Sequence, residues 1–219
     1  TTDSPTATIS VTITPVNDVP RFKLAGNPAS INEEAGAQSL DNFATGIAAG
    51  PATATDETLQ SLTFNVNVQS TTDGLTFSSA PAIDPATGRL TYTPAANSNG
   101  TATISVTLSD NGSGVAPNVN TSTAQTFVIT VNAVNDEPSF TKGADDAVLE
   151  DSGPRSISNW ATSISRGPAN EAGQVVDFIV SNDYNALFAV QPTIAADGTL
   201  AYTPAANAFG SATVTVQIH

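Results

Sequence analysis

Cysteine and methionine are absent from this 219-residue chain, and its only histidine is the last residue, His219. Lack of cysteine excludes disulfides and thiolate metal sites. A single terminal histidine leaves almost no material for an imidazole-based metal or catalytic centre. Positive charge is scarce as well: six Lys and Arg stand against twenty Asp and Glu, for a formal net charge of −14. Such a surface repels phosphate backbones, which argues against nucleic acid as a partner, and it attracts cations. No apolar run approaches the roughly 20 residues that cross a bilayer, and no signal peptide is recognisable, so membrane insertion is not expected.

What is abundant suits strands. Thr, Ser, Ala, Asn and Val dominate, and no long stretch has the spacing of an amphipathic helix. The segments "ATISVTI" (7–13) and "FVITV" (127–131) alternate with period two, the pattern of a half-buried β-strand. Each is followed by a near copy of one motif, "VNDVPRF" at 16–22 and "VNDEPSF" at 134–140. Proline cannot donate a ladder hydrogen bond, so Pro20 and Pro138 mark places where the strand has stopped. Two oxygen-bearing side chains thus sit just past a strand end, and an aromatic residue opens the next segment. The motif reads as a joint.

Self-comparison extends the repeat. The joint motifs lie 118 residues apart. "NEEAGAQSLDNFATGIAAGPA" (32–52) matches "LEDSGPRSISNWATSISRGPA" (149–169) at an offset of 117. "GRLTYTPAANSNGTATISV" (88–106) matches "GTLAYTPAANAFGSATVTV" (198–216) at 110. The falling offset implies shorter loops on the same plan in the second copy. Residues 1–15 align with 119–133 and read as the last strand of a preceding repeat. Residues 16–133 form a linker plus a complete repeat, and 134–219 a linker plus a second repeat lacking its last strand. A complete repeat carries about seven short strand signals separated by Gly, Pro, Asn and Asp clusters, as in an all-β sandwich. Trp160 aligns with Phe43, and both read as core aromatics.

The block "YTPAANSNGTATISVTLSDNG" followed by "TFVITVNAVNDEPSF" resembles the bacterial cadherin-like repeats that end in Val-Asn-Asp-x-Pro. Those repeats are in turn similar to animal cadherin domains, whose linkers carry Asp-x-Asn-Asp-Asn-x-Pro-x-Phe. The resemblance covers essentially the whole chain; it is specific at the joint and the Tyr-Thr-Pro block and loose elsewhere. It implies tandem seven-stranded Greek-key sandwiches with calcium ions stiffening the joints.

Calcium takes six to eight oxygen ligands, mostly carboxylates and carbonyls, so several loops must converge on each joint. With strands in the usual order, "TATDET" (53–58) and "SDNG" (109–112) fall at the N-terminal end of the first complete repeat. "NEEAG" (32–36) and "PAANSNG" (94–100) fall at its C-terminal end. The first joint is then expected to collect Asn17, Asp18, Asp56, Glu57 and Asp110. The second is expected to collect Glu33, Glu34, Asn135, Asp136 and Glu171, with Asn97 and Glu137 as further candidates. On the resemblance, Glu33 or Glu34 matches the family's first-domain glutamate and Asp136 its linker aspartate. Asp56 matches the first acid of a paired-aspartate loop, whose second acid is Thr58 here, and Asp110 the aspartate before the last strand.

Departures from the animal motif are clear. Thr14 and Asn132 stand where the linker has its leading Asp, and Asn97 and Asn99 replace the Asp-Arg-Glu region. Fewer formal charges imply weaker binding, and one ion per joint rather than three. Asn-Asp-x-Pro also starts turns without any metal, and Glu33–Glu34 and Glu150–Asp151 also fit solvated edge residues.

Enzymatic signatures fail. "DNGSG" lacks the acidic pattern of an EF-hand loop, and there is no Gly-x-Ser-x-Gly turn. The chain reads as a non-enzymatic stalk of an extracellular or cell-surface bacterial protein, partnered by neighbouring repeats. The alternatives are a carbohydrate- or protein-binding sandwich, homophilic binding included, or an accessory module of a secreted enzyme. Phe64, Phe77, Tyr92 and Phe127 fall at strand-like apolar positions, which favours core over a sugar platform. Residues 6–13 are an orphan strand. Two domains, each about 40 Å long for strands of a dozen residues, keep them from the second repeat of their own chain. They are expected to complete that repeat in another molecule by strand exchange.

Overall fold

Residue 2 and residues 4–219 are described in a computed structural model of the chain. The fold is nearly all β, in two compact units, Thr1–Ala133 and Val134–His219. No helix among the described residues is long and apolar enough to cross a membrane.

The first unit runs β1 (Arg21–Leu24), β2 (Ile31–Asn32), β3 (Gln38–Leu40), β4 (Ala44–Ala48) and β5 (Leu62–Thr71), then β6 (Phe77–Ile83), β7 (Leu90–Pro94), β8 (Gly100–Asp110) and β9 (Gln125–Asn132). One sheet has the order β2-β9-β8-β5 and a second β3-β7-β6, while β1 and β4 pair separately. All pairings are antiparallel except β2 with β9. The centre of the first sheet shows why. In β8, Ala102, Ile104, Val106 and Leu108 alternate with Thr and Ser, and all four are fully buried. Phe127, Ile129 and Val131 do the same in β9. Period-two patterning sends these side chains to one face, where they meet Leu75, Ile83, Leu90 and Tyr92 from the second sheet's side. A four-stranded and a three-stranded sheet around one core fit a β-sandwich.

In the second unit follow β10 (Ser139–Thr141), β11 (Arg155–Ile157), β12 (Thr162–Ser165), β13 (Phe178–Asn182), β14 (Phe188–Ile194), β15 (Leu200–Pro204) and β16 (Val214–Ile218). The pairings β10-β12, β11-β15-β14 and β13-β16 take the same places in chain order as β1-β4, β3-β7-β6 and β5-β8. Edge-to-face aromatic pairs recur too. Phe22–Phe64 and Phe140–Phe178 both have ring centroids 5.2 Å apart. Phe77–Tyr92 at 6.2 Å corresponds to Phe188–Tyr202 at 5.7 Å.

One element differs. The first unit has a third aromatic pair, Phe43 on Phe127 of β9 at 4.8 Å. Trp160, at the position of Phe43, is only half-buried and donates its indole N–H to the Ala144 carbonyl at 2.8 Å. The expectation of a core tryptophan therefore holds only in part. The second unit's described residues include no strand in the place of β9, so fewer apolar side chains reach full burial: Ala161, Ile194 and Leu200. Residues 7–13, for all their alternation, form no strand. A strand needs a ladder partner, and residues 7–13 take part in no strand pairing.

Candidate cation site

At one end of the first unit, consecutive joint residues hold two buried carboxylates. The Asp18 N–H donates to Glu57 Oε1. The Asn17 side-chain amide donates to Asp110 Oδ1 at 3.1 Å, and the Gly112 N–H reaches the same oxygen at 2.8 Å. Gln60 Nε2 donates to Asn17 Oδ1 at 2.6 Å, and the Asn17 backbone is tied to Asn118 and Val119. The joint, the 53–60 loop and the loop after β8 therefore meet around Asn17.

Local sequence explains the geometry. Thr55–Glu57 forms a single 3-10 turn, and the Gln60 N–H closes on the Glu57 carbonyl at 3.0 Å. Glu57 and Gln60 thus project from one compact turn toward the joint. Gly50 makes room. A Cβ there would lie 1.9 Å from Glu57 Oε2, and one on Gly112 would lie 1.8 Å from Asn17 Oδ1. Only glycine allows the backbone so near these oxygens.

The electrostatics are unbalanced. Glu57 is 2% exposed and Asp110 7%, yet Glu57 Oε2 and Asp110 Oδ2 accept no hydrogen bond. A buried charged oxygen left unpaired costs several kcal/mol. Neither group is paired with Lys or Arg. Oxygen donors without nitrogen or sulfur suit a hard cation. Among the described residues of the first unit, no three carboxylates have oxygens within 4.8 Å of one another. The cradle thus offers two buried anionic ligands and amide oxygens, and leaves part of a coordination shell open.

The second unit repeats the core of this arrangement. The Asp136 N–H donates to Glu171 Oε1 at 2.7 Å, and Gln174 Nε2 donates to Asn135 Oδ1 at 2.9 Å. Glu171 ends a 3-10 turn, Ala169–Glu171, and is 6% exposed with Oε2 unpartnered. A Cβ on Gly167 would fall 1.9 Å from that oxygen. Among the described residues, Asn135, Asp136, Glu171 and Gln174 meet in this cradle.

Other sequence candidates fall elsewhere. Asp56 is exposed on the first 3-10 turn while its neighbour Glu57 is buried, because one turn cannot aim both side chains inward. Asp18 contributes its N–H and carries an exposed side chain; Glu137 is exposed. Glu33 is buried, with its N–H on the Asn132 carbonyl at 2.9 Å. Glu34, at φ +61°, accepts the Asn97 N–H at 3.0 Å. Asp151, at φ +62°, accepts the Asn207 N–H at 2.9 Å in the same manner. Both acids therefore pin the turn after the Tyr-Thr-Pro strand. Glu150 is exposed.

Gln60, Gln174, Gly50 and Gly167 were not singled out from sequence. The signal was present: both copies contain Gly-Pro-Ala followed by Glu-x-x-Gln, at 50–60 and 167–174. The different spacing between the two parts hid it.

No protein-family model matches this chain, and no curated protein matches it.

Proposed function

We propose that the chain is a pair of cadherin-like Greek-key repeats whose joints are stiffened by calcium, serving as a stalk of a secreted or surface-bound bacterial protein. The observation that carries this reading is the unpaired Glu57 Oε2 and Asp110 Oδ2, with Glu171 Oε2 in the same setting in the second unit. A divalent ion held by these oxygens offsets the cost of burying them. Asn17 and Asn135 add amide oxygens, and the net charge of −14 raises the local cation concentration.

Calcium is preferred to magnesium because it accepts irregular oxygen shells of six to eight ligands. Sites with few charges bind in roughly the 10⁻⁴–10⁻³ M range typical of extracellular modules. A stalk built this way is loose where calcium is scarce and stiff outside the cell. A sugar-binding reading gains little: Tyr92 and Phe127 are buried, and Phe64 and Phe77 pack against the same core, so none is free to stack on a ring.

Thermal unfolding with calcium and with chelator tests the reading, repeated on Glu57→Gln and Glu171→Gln together. Calcium is expected to raise the unfolding temperature of the parent chain and to leave that of the double variant nearly unchanged. Equal calcium responses in both would overturn it.

A further inference from the structure

A strand at the edge of a sheet invites pairing with another chain, and folded proteins blunt such edges. In the first unit most edges are blunted. β2 has two residues and β3 three, which is short for a template. Beside β2, the Val128 N–H of β9 is taken by the Asn27 side chain at 2.8 Å. β6 carries Pro81, which cannot donate a ladder bond. β1 carries Arg21 and Lys23, and β4 holds Gly46 at φ +61°, away from extended geometry. β5 has none of these devices. It runs for ten residues, "LTFNVNVQST", without proline or charge. It is bonded to β8 on one side and, among the described residues, to no strand on the other.

The side chains of β5 suit a copy of itself. Thr63, Asn65 and Asn67 are exposed, while Phe64 and Val66 alternate with them and pack against the core. Val68 continues the core-facing set, opposite the buried Ile104, yet it is 42% exposed. We propose that β5 strands of two molecules pair antiparallel about a two-fold axis at Val66, joining two four-stranded sheets edge to edge. That register sets Asn65 opposite Asn67 of the second copy, twice, and an amide can both donate and accept across such a pair. On the core face it sets Phe64 opposite Val68, which covers the exposed valine. Main-chain hydrogen bonds along the edge give affinity, and these cross-strand pairs fix the register.

Charge favours a second copy at this edge. A net charge of −14 makes copies of the chain repel one another wherever acidic surfaces meet. Between Glu57 and Asp73 there is no charged residue, so pairing through β5 brings no like charges into direct contact. The contact uses the same patch on both molecules and therefore closes at the dimer.

The test is sedimentation equilibrium of the full chain from about 1 μM to about 1 mM, read together with amide hydrogen exchange. Monomer should give way to dimer, with protection gained by amides of β5. Raising salt from about 0.05 M to about 0.5 M should tighten the dimer by screening the net charge of −14. Asn65→Asp combined with Asn67→Asp sets like charges opposite each other at two places and should abolish the dimer at the higher salt. Both positions are exposed, and Asn65 gives up only its bond to Ser109 Oγ. The fold should therefore persist, which the variant's unfolding temperature checks. Asn65→Lys combined with Asn67→Asp sets opposite charges at the same two places and should dimerise at least as tightly as the parent. A monomer at every concentration, a dimer that protects no amide of β5, or an Asp–Asp variant that dimerises like the parent overturns the proposal. Loss of the dimer in the Lys–Asp variant as well overturns the register.

Discussion

Glu171 takes the backbone N–H of Asp136 at 2.7 Å, and Glu57 takes that of Asp18 in the same way. In both, one carboxylate oxygen fixes the joint backbone while Oε2 stays buried without a partner. The first oxygen explains the fold of the joint; the second has no structural use. Replacing Glu57 by Gln separates them, since an amide keeps the accepting oxygen and removes the charge. In chelator, Glu57→Gln should be as stable as the parent or more so, by up to about 1–3 kcal/mol. In calcium it should be less stable. The crossing of the two, read by thermal or urea unfolding, is expected only where the carboxylate binds an ion.

Gly50 and Gly167 define how tightly each cradle closes. A methyl group at either position would overlap a Glu Oε2 at 1.9 Å, and Gly167 also has φ +127°. Gly50→Ala should push Glu57 out of place and cost more than about 1 kcal/mol. The calcium-dependent part of the stability should fall with it. Urea unfolding of this variant in calcium and in chelator measures both losses.

The turn-pinning acids give a contrasting case. Asp151 accepts the Asn207 N–H at 2.9 Å, and Asn207 sits at φ +56°. Asp151→Ala should destabilise the second unit by about 1 kcal/mol through the lost bond. Its calcium response should match the parent's, which separates a turn-holding carboxylate from an ion-holding one. The same pair of unfolding curves reads this out.

Acid should destabilise the second unit through Asp146. Arg155 donates two hydrogen bonds to its carboxylate, at 3.1 and 3.0 Å, and Tyr202 donates a third at 2.7 Å. The Arg155 bonds foremost, then that of Tyr202, hold Asp146 below its ordinary value of 3.8. A depressed carboxylate adds stability that is complete above the unfolded value and disappears as pH falls through the folded one. The parent should therefore lose stability below about pH 3.8 more steeply than Asp146→Asn, which starts lower at neutral pH. Unfolding midpoints between pH 2 and 6 compare the two.

The strand content and the internal copies were legible because period-two alternation in β8 and β9 is strong and Gly, Pro and Asn punctuate it. Asn17, Asp110, Glu57, Asn135, Asp136 and Glu171 were legible as candidates because acids stand alone against an uncharged Thr/Ser/Ala background. The partition of roles was not. Asp56 and Glu57 are adjacent in sequence, and only the 3-10 turn decides which is buried. Nor does the sequence show that Glu34 and Asp151 accept the N–H groups of Asn97 and Asn207. Trp160 aligns with Phe43, but its burial depends on a neighbouring strand whose place in the second unit is taken by a cavity.

Calorimetric titration of the full chain with calcium, beside Glu57→Gln and Glu171→Gln singly and combined, addresses the cradles most directly. The parent should bind calcium with a dissociation constant of roughly 10⁻⁴–10⁻³ M. Each single variant should remove one class of site, and the pair should remove both. Absence of binding by the parent, or unchanged binding by the double variant, would contradict the assignment of these buried oxygens to a cation.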